Sequence, residues 1–400
     1  MTDDLGIFEE TPVRERNRPG RPKARPKRKR RRTIMLAFIV VAALLLVGGV
    51  WYGFNQLSEF GGYDDFAGAG ERDVVVEVVG GDSTGTIATR LTDEGIVASS
   101  KAFLAAAANE AKIRSIQPGY YVMRTKISGK DAVAKIVNPA AKVGNLQIRA
   151  GTQFDDIAKG ETVTPGVLSL MSKASCATLD GKETCVSVEQ LRQVAETGDL
   201  AALGVPEWAV GDAARVEPQR RLEGLVAPEV YEIKPGTSAQ EVWKQVLTSS
   251  SARMQSYGMP KIAEATGFTP YQVLTMGSLV QREAVSVDFA KVARVTYNRL
   301  AKGMRLEYDS TINYVLDRPT ITTNSSDRDR AGAYNTYKNV GLIPTPIAAV
   351  SKEALGAAAQ PAEGTWLYFV RCQKDGTSCF GDTYDQHKAN IKLAQDNDAY

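Results

Sequence analysis

Apolar residues follow three different rhythms along this chain. From Thr33 to Phe54 the string TIMLAFIVVAALLLVGGVWYGF contains no charge. A run of about 22 residues is enough to cross a hydrocarbon core of roughly 30 Å. Further on, short strand-like runs alternate with helical patterns. VVVEVV, Val74 to Val79, reads as a strand, and a glycine turn follows it. STGTIATRLTDEGI then reads as a short helix capped by Ser83 or Thr84. SSKAFLAAAANEA predicts a second helix and GYYVMRT a returning strand, closing a strand–helix–helix–strand module. SGKDAVAKIVNPAA adds a helix and NLQIRAG another strand.

A middle region, about residues 150–265, is expected to hold a helix starting at Gln153, a loop between two cysteines and a strand in LEGLVAPEVYEIKPG. SAQEVWKQVLTSSSARMQSY is an amphipathic helix. TPYQVLTMGSLVQREA opens the last region, with Thr269 as N-cap and Pro270 at the first helical position. Val273, Gly277, Val280 and Ala284 recur at helical spacing and are expected to face the core. Glu283 lies beside that stripe, not opposite it. DFAKVARVTYNRLAKG predicts a helix ending at Gly303. GTWLYFVRC predicts a strand, followed by a hairpin and a final helix around His387. No sequence repeats are evident.

Charge gives the apolar run a direction. The 400 residues carry a net charge of +3, yet residues 1–32 alone hold 12 Lys/Arg against 5 Asp/Glu. Arginines before the span and none just after it predict a cytoplasmic N-terminus and an outer C-terminal part. Trp51 and Tyr52 suit the far interface. A cleaved signal peptide would have a shorter apolar run and a smaller basic region. The basic tail is expected to orient the span and touch anionic lipid. The rest of the chain has no charge pattern suited to nucleic acid. The segment Glu59 to Asp73 is a Gly- and Asp-rich linker.

Candidate chemistry is sparse. The cysteines fall in two close pairs, Cys176 with Cys185 and Cys372 with Cys379, and an oxidising compartment predicts two local disulfides. CQKDGTSC has Asp-Gly at its middle and reads as a clipped hairpin. A single histidine excludes HExxH zinc proteases and multi-histidine metal sites. GDSTG, Gly81 to Gly85, formally matches GxSxG, but a helix-capping turn accounts for Ser83. That leaves Glu283. A carboxylic acid in a partly apolar setting has a raised pKa and can donate a proton near neutral pH. Most glycosidases need a second carboxylate; chemistry assisted by the substrate's N-acetyl group needs only one. On position alone, Glu283 also fits a solvated helix-edge residue.

The neighbouring strings decide between these readings. SLVQREA, VARVTYNRLAKGMRLEYDSTINY, AYNTYKNVGLIPTPIAA, ALGAAAQPAEGTWLYFV and FGDTYDQHKANI occur in this order. Together they closely resemble the endolytic murein transglycosylases of the MltG (YceG-like) family, over roughly residues 74–395. LEGLVAPEVYEI resembles the family's Leu-Glu-Gly-Tyr-Leu-Phe-Pro-Asp-Thr-Tyr element. The family's catalytic acid is the second glutamate of a Val-Glu-Lys-Glu type motif. Here the string is Val280-Gln281-Arg282-Glu283, so the resemblance places catalysis on Glu283, while Gln281 replaces the first acid. Gly341 to Ile347, GLIPTPI, departs from the family's Gly-Leu-Pro-Pro-Gly-Pro-Ile without removing a catalytic group.

The resemblance implies an α+β protein. Its parts are a cytoplasmic tail (1–32), a transmembrane helix (33–54), a linker (55–73), a LysM-like domain (74–145) and a mixed α/β catalytic domain (146–400). It implies non-hydrolytic cleavage of the MurNAc–GlcNAc β-1,4 bond in nascent peptidoglycan, with no cofactor or metal. Tyr334, Asn335, Thr336 and Tyr337 would offer the amide, hydroxyls and rings that bind sugars. Glu223, Asn298, Asp309 and His387 match family positions that would line the groove. Expected partners are glycan strands, membrane lipid, and peptidoglycan synthases and division proteins. The rival from another class is a non-catalytic wall-binding or division scaffold.

Overall fold

In a computed structural model of the chain, residues 62–316 and 325–399 are described. The basic tail and the apolar run Thr33 to Phe54 lie outside them. Among the described residues no helix is long and apolar enough to cross a membrane. Residues 64–400 form one mixed α/β unit.

The expected strand–helix–helix–strand module is present. Strand β1 (Asp73–Val78) pairs antiparallel with β2 (Gly119–Arg124), in register from Asp73–Arg124 to Val78–Gly119. Between them run α1 (Thr84–Asp93) and α2 (Ser100–Ala107). Ser83 caps α1, its hydroxyl accepting from Thr86 N at 3.1 Å. Helix α3 (Gly129–Ile136) and the short β3 (Lys142–Val143) complete the module. Val76, Ile87, Leu91, Phe103, Met123 and Ile136 fill its own core.

Gly144 joins this module to the next. Its φ of 80° is left-handed, and a Cβ there would lie 2.0 Å from Ile233 O, so only glycine fits. Strand β4 (Asn145–Ile148) then pairs antiparallel with β9 (Glu229–Glu232). The stretch before β9 is not strand. Gly224, with φ 72°, and Pro228 break it into turns that bury Leu222, Leu225 and Val226.

No helix starts at Gln153. Its buried amide instead donates to Ile347 O at 3.2 Å. The next residues form the hairpin β5 (Ile157–Lys159) and β6 (Thr162–Thr164), turning at Gly160 with φ 60°. Helix α4 (Val167–Ala174) follows. The cysteine loop is itself a hairpin, β7 (Thr178–Leu179) and β8 (Lys182–Glu183). Asp180 and Gly181 both have positive φ, as a two-residue hairpin turn requires. The Cys176–Cys185 disulfide closes it. Helices α5 (Val188–Thr197), α6 (Glu207–Ala213) and α7 (Ala239–Ser256) surround the main core, in which Trp243 of α7 is wholly buried and donates to Leu191 O at 2.8 Å.

Helix α8 (Pro270–Glu283) runs through this core. Thr269 and Gln272 form a capping box at its start. Burial is not confined to one stripe: all residues from Val273 to Val280 are buried. The helix stops at Glu283, and Ala284 is extended (φ −140°, ψ 169°), so it does not continue the helical row. Helix α9 (Phe289–Ala301) follows and ends near Gly303, φ 64°. Two short helices, α10 (Asp309–Asn313) and α11 (Ser325–Asp329), precede α12 (Lys352–Ala359). Gly277 lets the α12 side approach α8, since a Cβ would meet Val350 Cγ1 at 2.9 Å. The chain closes with the hairpin β10 (Tyr368–Arg371) and β11 (Ser378–Gly381), clipped by Cys372–Cys379, and then α13 (Tyr384–Asp396).

Candidate functional site

Glu283 is the last residue of α8, half-buried against α10. Its Oε1 accepts from the backbone N–H of Ser310 at 3.2 Å. Burial pushes its pKa up to about 7; the Ser310 hydroxyl and N–H pull it down, the charge of Asp309 pushes it up and that of Arg282 pulls it down. A helix C-terminus carries partial negative charge, which also disfavours a carboxylate there. Near neutral pH this group can therefore both give and take a proton.

Asp309, the nearest other acid to Glu283 on α10, is already engaged. It accepts from Tyr337 Oη at 2.7 Å and from Arg328 at 3.3 Å. The Arg328 guanidinium also lies 4.7 Å from the centre of the Tyr337 ring. Asn335 and Thr336 are buried. Asn335 donates to Arg328 O and Arg330 O, at 2.9 and 2.5 Å, and accepts from Tyr337 N at 2.9 Å. The Thr336 hydroxyl accepts from Tyr308 N and meets that of Thr311, both at 2.9 Å. These two side chains hold the loop that carries Tyr337. Tyr334 is buried, its hydroxyl 2.9 Å from that of Thr345.

Thr345 belongs to the divergent Gly341–Ile347 segment, which braces α8. Ile347 N donates to the Ser278 hydroxyl at 3.0 Å, and Pro346 packs where a Cβ on Gly224 would otherwise sit. Gln281, in place of the family's first acid, accepts from Ser351 N at the start of α12, at 3.2 Å.

Asn298 and His387 lie in a different neighbourhood. Asn298 donates to Gly364 O and Trp366 O, at 3.1 and 2.9 Å. His387 stacks on Tyr368 with ring centres 5.3 Å apart. Burial pushes its pKa down, the nearby Arg299 adds to that, and Glu307 opposes it. Among the described residues, no hydrogen bond joins either side chain to Glu283.

Glu223 meets the other end of α10, through Tyr314 at its C-cap. It is 1% exposed. Its Oε2 accepts from Phe154 N and from Tyr314 Oη, both at 3.0 Å. Burial pushes its pKa up to about 7, against the pull of those two bonds. Arg220 covers the rings of Tyr314 and Tyr334, at 4.7 and 5.3 Å. Ser310, Tyr314, Arg220 and Arg282 are site residues that sequence reasoning missed. Ser310 and Tyr314 stand four apart in DSTINY, the spacing of one helix face, and that was the available signal.

The fold and site define a mixed α/β protein with two desolvated carboxyls, Glu283 at a helix end and Glu223 in the core, and no group of His, Cys or acids among the described residues able to hold a metal. The YceG-like family model matches residues 76–393, and the chain belongs to that family. It is 27% identical over 321 residues to the endolytic murein transglycosylase of Bacillus subtilis, covering 78% of this chain and 82% of that protein. It is 25% identical over 376 residues to the endolytic murein transglycosylase of Streptococcus pneumoniae, spanning 90% of this chain and 65% of the relative. A crystal structure of a YceG-like protein from Listeria monocytogenes shares the fold, with TM-score 0.53 and 24% identity over 80% of this chain and 99% of that one.

The two desolvated carboxyls make stability depend on pH. The pKa values of Glu223 and Glu283 are raised from 4.5 to about 7 on folding. The folded state then holds protons that the unfolded state releases, so stability is fullest below the unfolded value and falls as pH rises towards 7. Glu223→Gln should shallow that fall in urea unfolding measured across this range. An unchanged pH slope would show that Glu223 ionises freely.

Proposed function

We propose that this protein is an endolytic lytic transglycosylase of peptidoglycan, a lyase, with Glu283 as its only acid–base group. The observation that carries this reading is the desolvated carboxyl at the end of α8, in a chain whose curated relatives bear that name. Protonated Glu283 gives its proton to the glycosidic oxygen between MurNAc and GlcNAc, and the C1–O bond breaks. The resulting carboxylate is stabilised by the Ser310 N–H and the nearby Arg282 charge. It takes the proton from the MurNAc C6 hydroxyl as that oxygen bonds to C1. The 1,6-anhydro ring closes, no water is consumed, and Glu283 regains its proton. One residue can serve both steps because donating the proton leaves a base in place. Asp309, held by Arg328 and Tyr337, stands outside the proton path.

The β1–β2 module is read as a LysM-like glycan-docking domain. Thr33 to Phe54 anchors the chain in the cell membrane with residues 1–32 inside, and the site faces nascent strands whose length it limits. Synthases and division proteins are the partners such a place would bring.

Glu283→Gln in the full chain should abolish anhydro-MurNAc formation from purified glycan strands, with the melting temperature at pH 7 kept. The amide preserves shape but exchanges no proton, so a loss of about 10²–10⁴-fold is expected. Wild-type turnover by this variant would remove Glu283 from the mechanism. Wild-type protein that binds strands without cutting them would favour the scaffold. For the topology, protease added to intact spheroplasts should destroy the part after residue 55; its survival would reverse the orientation.

A further inference from the structure

Arg299 is a charged side chain that the proton transfers above do not use, yet it is only 6% exposed. It lies near the end of α9 and directs its donors to backbone. Nε donates to Leu367 O at 2.6 Å, just before β10, and the guanidinium lies 5.3 Å from the centre of the Tyr368 ring. Nη1 donates to Arg305 O at 3.0 Å, to Leu306 O at 2.8 Å and to a carboxylate oxygen of Glu307 at 3.2 Å. A buried guanidinium is costly unless its donors are met. Here they are met largely by one short loop, residues 305–307.

That loop carries backbone strain. Glu307 has φ 54°, a left-handed conformation that a residue with a side chain rarely adopts unless its surroundings hold it. Its N–H donates to Thr336 O at 3.2 Å. Directly after it, Tyr308 is fixed to α9 a second time, its hydroxyl 2.8 Å from that of Thr296, about one helical turn before Arg299. Helix α10 starts at Asp309, and Ser310 N is the backbone donor that meets Glu283. The path from Arg299 to the reacting carboxyl is thus a gripped turn, two residues and a hydrogen bond.

We propose that Arg299 is a positioning residue: by holding the left-handed turn at Glu307, it sets the Ser310 N–H against Glu283. The inference rests on the peptidoglycan reading above and adds to it the device that keeps the catalytic carboxyl in register. A hydrogen bond to the charged form of an acid lowers its pKa, so loosening Ser310 raises that of Glu283. Arg282 belongs to α8 and Asp309 is tied to Arg328 and Tyr337, so those neighbouring charges stay. The hydroxyls of Tyr308 and Tyr337 also feel the Glu283 charge. Glu283 must be protonated to start the reaction, so activity falls as pH rises through its pKa, and the alkaline limb of the pH profile reports it. A looser turn moves that limb up. A protein that is merely less folded keeps the limb in place.

The test is the pH profile of anhydro-end formation by the detergent-solubilised full chain on purified glycan strands, with kcat and KM separated and melting temperature read in parallel. Arg299→Lys keeps the charge but cannot bridge the carbonyls of Arg305, Leu306 and Leu367. Its kcat should fall about 10-fold or more with KM kept. Its alkaline limb should move up by about one pH unit, the scale of a hydrogen bond to a charged group. The Glu307 side chain, 47% exposed, lets the turn be tested without touching the core. Glu307→Val, β-branched and opposed to a left-handed backbone, should move the limb in the same direction. Glu307→Gly removes the same carboxylate but accepts that backbone, and should leave the limb in place. A wild-type limb in Glu307→Val or in folded Arg299→Lys overturns the proposal, and so does an equal shift in Glu307→Gly. If Arg299→Lys does not fold, the two Glu307 variants decide alone. Wild-type protein that makes no anhydro ends overturns the peptidoglycan reading and this inference together.

Discussion

A carboxyl group that ends a helix among apolar neighbours is opposed in its charged form twice, by lost hydration and by the helix dipole. Glu283 occupies such a place, with its pKa pushed up to about 7. The surroundings are balanced, not simply apolar. Ser310 and Arg282 moderate the shift, so the charged form stays within reach at neutral pH. A group held near that point suits a reaction that asks it for a proton and then asks for it back. The same constraint explains why Asp309 is tied to Arg328 and Tyr337: an unpaired second acid beside Glu283 would drive its pKa higher still.

Much of the remaining fold fixes where α8 stops. Val273 to Val280 are buried on every side, so the helix cannot slide or turn without losing core contacts. Ser278 receives Ile347 N, Gln281 receives Ser351 N, and the glycines at 224 and 277 let the bracing segments come close. On the outer side, Asp288 just beyond the helix end accepts from Ser378 N of the disulfide-clipped hairpin at 2.7 Å. The segment that follows Glu283 is thereby pinned from the C-terminal end of the chain.

The parts of this arrangement that were legible in the sequence are the local ones. Thr269 and Pro270 announce the start of α8, the amphipathic pattern of SAQEVWKQVLTSSSARMQSY gives α7, and Asp-Gly marks the turn of the last hairpin. Asp180-Gly181 is the same signal between the first two cysteines, where the strands it joins are only two residues long. The helix expected at Gln153 fails because that side chain is drawn into a contact with Ile347, 194 residues away. Glu283 stood out through the family's ordered strings; its position alone fits a solvated helix-edge residue better, and the desolvation that separates the two readings comes from tertiary packing. Asn335 and Thr336 have the polarity of sugar ligands, and only tertiary structure reveals that Asn335 is used inside its loop and Thr336 against Tyr308 and Thr311. The pairing of Glu223 with Tyr314 spans 91 residues and has no local signature.

The account stands on one carboxyl acting as acid and then base while water stays out of the new bond. The most direct measurement is digestion of purified glycan strands by the full chain in heavy-oxygen water, with mass spectrometry of the new MurNAc ends. The expected products are anhydro ends lighter than reducing MurNAc by one water and carrying no heavy oxygen. Reducing ends that contain one heavy oxygen would mean that water attacks C1, and the single-carboxyl ring closure proposed for Glu283 would be wrong.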